Sequence, residues 1–186
     1  MRRQNIVKPQ KHPRPELNGC VSIVHSASAL ALNPALLRGF EKFADDPATR
    51  KSHLFNGRYE NVYITSEQLP ELSVLLDEAR EHACRILGLP ELRAGCWFNH
   101  MPPGAVTTAH CHDDDDELLS AAYYVSVPKD SGQLIVHCGG EPIAITPEPG
   151  MFAFFSPRLM HEVTQNRSDR ERLSIGINFG PAETLS

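Results

Sequence analysis

The pattern of hydrophobic and polar positions divides the chain into a helical front and a β-rich back. Between residues 30 and 90, apolar residues recur at spacings of three and four, which is typical of amphipathic helices. One helix is predicted to begin at Pro34, with Asn33 as its cap. A longer helix is predicted from near residues 66–70 to Leu87, because the glycine that follows Leu87 provides a stop. Both apolar stripes indicate helices that pack on the outside of a sheet.

From Leu92 onward, short apolar runs alternate with turn residues rich in proline and glycine. This pattern predicts a series of short strands: 94–101, 120–127, 133–137, 143–145, 151–155 and 172–179. The fold class expected is therefore mainly β with a helical preface. Its β core, over about residues 92–180, is a double-stranded β-helix (a jelly-roll or cupin-like barrel) with helices packed on one sheet.

Length and composition indicate one globular domain. The 186 residues are predicted to form a disordered basic tail at 1–16 and a single domain at 17–186. The formal net charge of −5 is not that of a nucleic-acid-binding surface, and no apolar run is long enough to cross a bilayer. Neither a nucleic acid nor a membrane is therefore expected as a partner.

The five cysteines bear on the cellular compartment. An odd number of cysteines, with no apolar secretory segment after Met1, predicts a cytoplasmic protein with reduced thiols. No Cys-x-x-Cys pair is present, so a closed structural zinc site is not expected. A homodimer formed through an edge strand is the oligomer that such a sheet allows.

Candidate metal ligands occur in the segment His110-Cys111-His112-Asp113-Asp114 and at His161. Two imidazoles and one carboxylate, from His112, Asp114 and His161, suit a non-haem Fe(II) that keeps open coordination positions. The segment allows two pairs, because His110 with His112 and His112 with Asp114 are both two residues apart and would lie on one face of a strand. The spacing alone does not choose between them.

A second candidate site lies on the last strand. Alternation places one set of residues on the face expected to pack against the helices, namely Leu173, Ile175, Ile177 and Phe179. The opposite face, expected to line the barrel interior, carries Arg172, Ser174, Gly176 and Asn178. Arg172 with a hydroxyl two residues away can bind a carboxylate. Tyr124, on the small-residue face of its own strand, is a candidate third group.

These segments resemble a known superfamily, the Fe(II)- and 2-oxoglutarate-dependent oxygenases. The resemblance is carried by residues 112–125, Pro149-Gly150, residues 155–163 and Arg172-Leu173-Ser174-Ile175. It covers about residues 95 to 180 and is strongest to prolyl-hydroxylase-like and bacterial members with a Ser-x-x-Tyr-Tyr strand. The distance from the metal motif to that strand favours the His112 and Asp114 pair.

The resemblance implies both a cofactor set and a reaction. The metal ligands are then His112, Asp114 and His161. The distal carboxylate of 2-oxoglutarate pairs with Arg172, assisted by Ser174 and Tyr124, and Asn99 is a further lining candidate. The expected reaction is hydroxylation of an unidentified small molecule or protein side chain, with release of succinate and CO2. It uses Fe(II), 2-oxoglutarate as cosubstrate and ascorbate as a candidate reductant.

Two other functions stay open on the same scaffold. Gly104, His110, His112 and Glu117 are spaced as in the first cupin motif, which with His161 would give a metal site that needs no 2-oxoglutarate. The second cupin motif fails, since it requires a histidine close behind the Pro-x-Gly glycine, whereas His161 lies eleven residues after Gly150. A non-enzymatic sensor that binds a metal or small molecule is the other alternative.

Overall fold

The computed structural model describes residues 19–112 and 116–182. The tail expected at 1–16, residue Asp114 and the two ends of the predicted domain 17–186 therefore lie outside the described residues. Within them the chain forms two helices, α1 (Ala29–Phe43) and α2 (Glu71–Leu87). The strands are β1 (Val21–His25), β2 (Arg50–Phe55), β3 (Arg58–Tyr63), β4 (Leu92–Met101), β5 (Thr107–His110), β6 (Leu119–Ser126), β7 (Leu134–Val136), β8 (Ile143–Ile145), β9 (Met151–Phe155), β10 (His161–Val163) and β11 (Arg172–Pro181).

The strands form two antiparallel sheets that enclose a small interior. The major sheet has the order β1-β9-β6-β11-β4-β3-β2, and the minor sheet has the order β5-β10-β7-β8. Side chains from both sheets, including Tyr124 and Phe155 of the major sheet and Leu134 and Val136 of the minor sheet, share one buried apolar cluster. The predicted double-stranded β-helix is confirmed.

The alternation predicted for the last strand is also confirmed. Leu173, Ile175, Ile177 and Phe179 are buried in one core with the apolar stripes of α1 and α2. Both helices therefore cover the outer face of the major sheet. The inner face of β11 is left to polar and small residues, which is what a ligand-binding interior requires.

Helix α1 begins earlier than the predicted start at Pro34. It starts at Ala29, and the carbonyl of Ser28 accepts the first helical hydrogen bond, from Leu32 N at 2.9 Å. Asn33 is therefore not a cap. Its side chain docks the helix on β6, because the Tyr123 hydroxyl donates to Asn33 Oδ1 at 2.6 Å. A proline in the second turn removes one hydrogen bond, and the packing of the helix on the sheet offsets that loss.

Residues 54–63 form most of a β-hairpin, which the sequence analysis did not predict. β2 and β3 pair from Arg50↔Tyr63 to Phe55↔Arg58, around a turn at Asn56-Gly57. Both turn residues have positive φ, 49° and 76°. An Asn-Gly pair is a strong hairpin signal for this reason, so the element was predictable.

The predicted end of α2 is confirmed, since Gly88 adopts a left-handed conformation at φ 65°.

Cys20 and Cys138 form a disulfide, which the sequence interpretation did not foresee. It links the residue before β1, at one edge of the major sheet, to the segment after β7 in the minor sheet. Three thiols are left free, at Cys84, Cys96 and Cys111. An odd cysteine count is therefore compatible with a disulfide and is no argument for fully reduced thiols.

Neither helix of the described chain is long and apolar enough to cross a membrane.

Candidate active site

Three histidines meet at the open end of the barrel. β5 ends at His110 and β10 begins at His161, and these two residues are direct partners in the minor sheet. His112 follows two residues later, where its backbone N–H donates to Pro157 O at 2.7 Å. One nitrogen of each ring lies within 4.8 Å of those of the other two. Two nitrogens bound at about 2.1 Å to one metal ion lie about 3.0–3.4 Å apart, so rotations of the rings that close the cluster by about 1.5 Å would let all three bind one ion.

Hydrogen bonds fix the orientation of two of these rings. Nδ1 of His161 lies 2.9 Å from Leu159 O, and Nδ1 of His110 lies 2.8 Å from Thr108 O. A carbonyl oxygen only accepts, so the proton is assigned to Nδ1 and the lone pair to Nε2 in both rings. A histidine that binds a metal through one ring nitrogen usually donates the N–H of its other ring nitrogen to an acceptor such as a backbone carbonyl.

His161 is the most buried member of the cluster, at 6% exposure. Burial lowers the pKa of His161 to about 4; the hydrogen bond to Leu159 opposes this shift, and the His110 and His112 rings add to it. The imidazole is consequently neutral at physiological pH. A neutral ring is the form that binds a metal.

Of the two carboxylates that the sequence offered as metal ligands, Asp114 and Glu117, the structure describes only Glu117. Asp114 lies outside the described residues, so its place at the metal stays a prediction. Glu117 is described and is not a member of the histidine cluster. Its Oε1 accepts a hydrogen bond from the Asn178 amide at 2.7 Å. The four-ligand cupin set is therefore not assembled in the described part of the chain.

Arg172 lies on the inner face of β11 and is 1% exposed. Its Nη1 donates to the carbonyls of Ser131 and Gly132, at 3.3 and 3.1 Å. Neither its Nε nor the Tyr124 hydroxyl has a hydrogen-bond partner within 3.5 Å among the described residues, although the two side chains lie close enough for each to shift the other's pKa. Burial lowers the pKa of Arg172, but a guanidinium is basic enough to stay charged. A buried cation with an unused donor indicates an anionic ligand.

The histidines and the arginine line one inner cavity of about 70 Å³. Its wall includes the described residues that the oxygenase resemblance assigned to metal or cosubstrate, which are His112, His161, Arg172, Ser174 and Tyr124, together with the lining candidate Asn99. Ser174 is the direct cross-strand partner of Tyr124. Burial raises the pKa of Tyr124, and the charge of Arg172 opposes that shift. The tyrosine is therefore a protonated hydroxyl that can donate to a carboxylate. The donor set fits a divalent metal at one end and a dicarboxylate reaching the other.

A wider cleft of about 640 Å³ opens outside this cavity and shares Trp97, His110 and His112 with it. The Trp97 indole covers Gly176, where an added Cβ would lie 2.5 Å from the ring. The Trp97 ring centroid is 5.6 Å from that of His112. The indole is thus part of the wall that the inner cavity and the outer cleft share. A larger cleft of about 770 Å³, between α1 and the start of β11, contains none of the candidate site residues.

The β2–β3 hairpin forms the far side of the outer cleft. Arg58 holds it in place by donating to His100 O and Val106 O, both at 2.8 Å. The same guanidinium pairs with Glu60 at 2.9 Å. The hairpin is therefore fixed to the strands that lead into the histidine cluster, and it shapes the entrance.

The fold is shared with known oxygenase structures, although the sequence matches no protein-family model and no curated protein. A Pseudomonas putida prolyl-4-hydroxylase is 23% identical with a TM-score of 0.67, covering 88% of this chain and 94% of that one. A Trichoplax adhaerens prolyl hydroxylase, solved with a hypoxia inducible factor peptide fragment, is 16% identical with a TM-score of 0.69, covering 88% and 84%.

A third structure, an oxidoreductase of the 2OG-Fe(II) oxygenase family from Burkholderia pseudomallei, is 16% identical with a TM-score of 0.65, covering 93% and 95%. At these identities the likeness establishes a common fold over nearly the whole length. The chain thus has the double-stranded β-helix architecture of the 2-oxoglutarate oxygenases, which is the superfamily that its motifs resemble.

Sequence reasoning missed some residues that build the site. The carbonyls of Ser131 and Gly132 hold Arg172 through the backbone, so no side-chain pattern could reveal them. Trp97 is the only tryptophan of the chain and faces the interior opposite Gly176, a pairing that strand alternation could have suggested. His110 was considered from the sequence only as one of two possible pairings and as a metal ligand of the cupin alternative.

Proposed function

We propose that the protein is an Fe(II)- and 2-oxoglutarate-dependent oxygenase. One observation carries the proposal: a buried arginine with an unused donor faces a cavity whose other end is a cluster of metal-binding imidazoles. A cupin or a simple metal site would have no use for this buried cation. A five-carbon dicarboxylate needs a metal at its 2-oxo acid end and a cation at its far carboxylate.

Each residue then has a distinct part. His112, His161 and the undescribed Asp114 are proposed to hold Fe(II). Arg172 binds the far carboxylate of 2-oxoglutarate, and Ser174 and Tyr124 donate hydrogen bonds to it. When bound, the iron and its cosubstrate supply the oxidising chemistry, in which 2-oxoglutarate becomes succinate and CO2 and one oxygen atom enters the substrate. Ascorbate is a candidate reductant.

The barrel supplies orientation and a dry environment. Arg172, Ser174 and Tyr124 are each at most 6% exposed, so the carboxylate that they bind is shielded from water. Charge-assisted hydrogen bonds are strongest in such surroundings.

The substrate is proposed to enter by the outer cleft, between the β2–β3 hairpin and the histidine cluster. A small molecule or a protein side chain fits an open cleft of this kind. Hydroxylation is the proposed outcome, because Asp114 would occupy the position that a halide needs. Neither a nucleic acid nor a membrane is proposed as a partner.

The cytoplasm remains the proposed compartment, with the Cys20–Cys138 pair as its test. Trapping thiols in intact cells should then yield five free cysteines rather than three.

A homodimer is proposed through an exposed sheet edge. The candidate is β8 at the edge of the minor sheet, where Ile143 is 36% exposed.

The proposal is tested by following succinate release from 2-oxoglutarate in the presence of Fe(II) and oxygen, without any added substrate. The wild-type protein and Glu117→Ala should both show slow uncoupled turnover, and Asp114→Ala should show none. Turnover that is lost in Glu117→Ala and kept in Asp114→Ala would favour the cupin ligand set. A protein that binds 2-oxoglutarate without turning it over would favour the sensor.

A further inference from the structure

His110 is part of the histidine cluster, although the metal motif proposed above does not use it. The His110 and His161 ring centroids are 4.3 Å apart, whereas His112 lies 5.2 Å from each of the other two. The direct pairing of His110 with His161 in the minor sheet fixes this proximity through the backbone. The backbone position of His110 is therefore set by the fold, and its side chain needs only a local movement to reach or leave the cluster.

His110 is also prepared for metal binding in the same way as His161. Both rings give Nδ1–H to the carbonyl of the residue two positions earlier, Thr108 or Leu159. Both therefore keep an unprotonated Nε2, and a nitrogen of each ring lies within 4.8 Å of those of the rest of the cluster. This is the orientation that histidine metal ligands usually have.

We propose that His110 is a third imidazole ligand of the same metal in the resting protein, and that it leaves the metal when 2-oxoglutarate binds. The second part rests on the proposed function. Three imidazoles, the Asp114 carboxylate and a two-point cosubstrate would fill all six positions of Fe(II) and leave none for oxygen. One protein ligand must then leave. His161 is buried, whereas His110 and His112 are partly exposed and border the outer cleft. Because His112 belongs to the proposed metal motif, His110 is the ligand to which the displacement is assigned.

The proposal is tested by counting imidazole ligands in the Cu(II)-loaded full chain with pulsed electron paramagnetic resonance. The expected count is three in the wild type and two in His110→Ala. His25→Ala, which removes an exposed histidine far from the cluster, should still give three. Adding 2-oxoglutarate should lower the wild-type count from three to two. The wild-type counts need no variant, so a folding defect in His110→Ala would leave the test intact.

Metal affinity provides a second readout that is independent of turnover. His110→Ala should weaken Co(II) binding about tenfold or more, the range seen when groups that support a metal site are removed. Asp114→Ala should keep a bound metal, because three imidazoles remain. Complete loss of metal from Asp114→Ala would contradict the third imidazole.

The two proposals fail differently. Two imidazoles in the wild type, with or without 2-oxoglutarate, would overturn the assignment of His110 and leave the oxygenase proposal standing. Three imidazoles that persist while 2-oxoglutarate binds would overturn its displacement. Three imidazoles in a protein that does not bind 2-oxoglutarate at all would overturn the proposed function and the displacement, and keep His110 as a ligand.

Discussion

Replacing Arg172 by methionine should weaken 2-oxoglutarate binding without unfolding the protein. The guanidinium is 1% exposed and keeps an unused Nε donor at the cavity. A hydrogen bond to a charged group contributes about 1.5–3 kcal/mol, so the loss of the bond from this donor costs about 1.5 kcal/mol or more. Since about 1.4 kcal/mol corresponds to a factor of ten, the Kd for 2-oxoglutarate should rise by about tenfold or more.

The effect of the same substitution on stability should be small. Arg172 loses its hydration on burial, and replacing a buried charge by an apolar side chain of similar volume is often neutral or stabilising. Against this, the carbonyls of Ser131 and Gly132 lose their donor. The two effects oppose each other, so the free energy of unfolding should change by less than about 2 kcal/mol.

The assay is calorimetric titration of 2-oxoglutarate into the Mn(II)-loaded protein, with urea unfolding alongside. Arg167→Met, which removes an exposed arginine, is the matched control and should bind like the wild type. Arg172→Lys should fall between the two, because it keeps the charge and loses the planar fork. A Kd for Arg172→Met within threefold of wild type would refute the assignment of Arg172.

Three further outcomes follow from the packing and the titration of the site. Gly176→Ala should displace the Trp97 indole, which lies 2.5 Å from the added Cβ, and lower uncoupled turnover while the protein stays folded by circular dichroism. The metal-free protein should lose about 3 kcal/mol of its free energy of unfolding as the pH falls from 6.5 to 4. Over this range the unfolded state binds a proton at His161, whereas the folded state stays unprotonated down to its pKa of about 4. In His161→Gln, this part of the pH profile of urea unfolding should be flat. Under oxidising conditions, replacing both Cys20 and Cys138 by serine should lower the free energy of unfolding by about 4 kcal/mol, since the disulfide spans 118 residues; an unchanged urea midpoint would contradict this.

The parts of the fold that were predictable are those in which periodicity and burial agree. The alternation of β11 gave both of its faces correctly, because one face packs on helices and the other lines the cavity. The end of α2 was predictable from Gly88, whose left-handed conformation needs no tertiary contact. The start of α1 was not, because Asn33 serves a contact with Tyr123 instead of a cap.

Most of the missed strands are short or lie at sheet edges, and the exception is β3, which has six residues and lies between β4 and β2. β5 and β10 have four and three residues, too few to show a period, and they form because they pair with each other. That pairing is also what brings His110 to the site. A sequence shows that His110 and His112 are two residues apart, but only the register of the minor sheet shows which imidazoles meet His161. The disulfide is equally a product of tertiary structure, since its cysteines come from different sheets.

The most direct test of the central claim is anaerobic addition of Fe(II) and 2-oxoglutarate to the metal-free protein, followed by visible absorption. A charge-transfer band in the wild type that weakens in Arg172→Met is predicted, because the band requires metal and cosubstrate to be held together in the cavity. Bound iron with no band at saturating 2-oxoglutarate would contradict the oxygenase account.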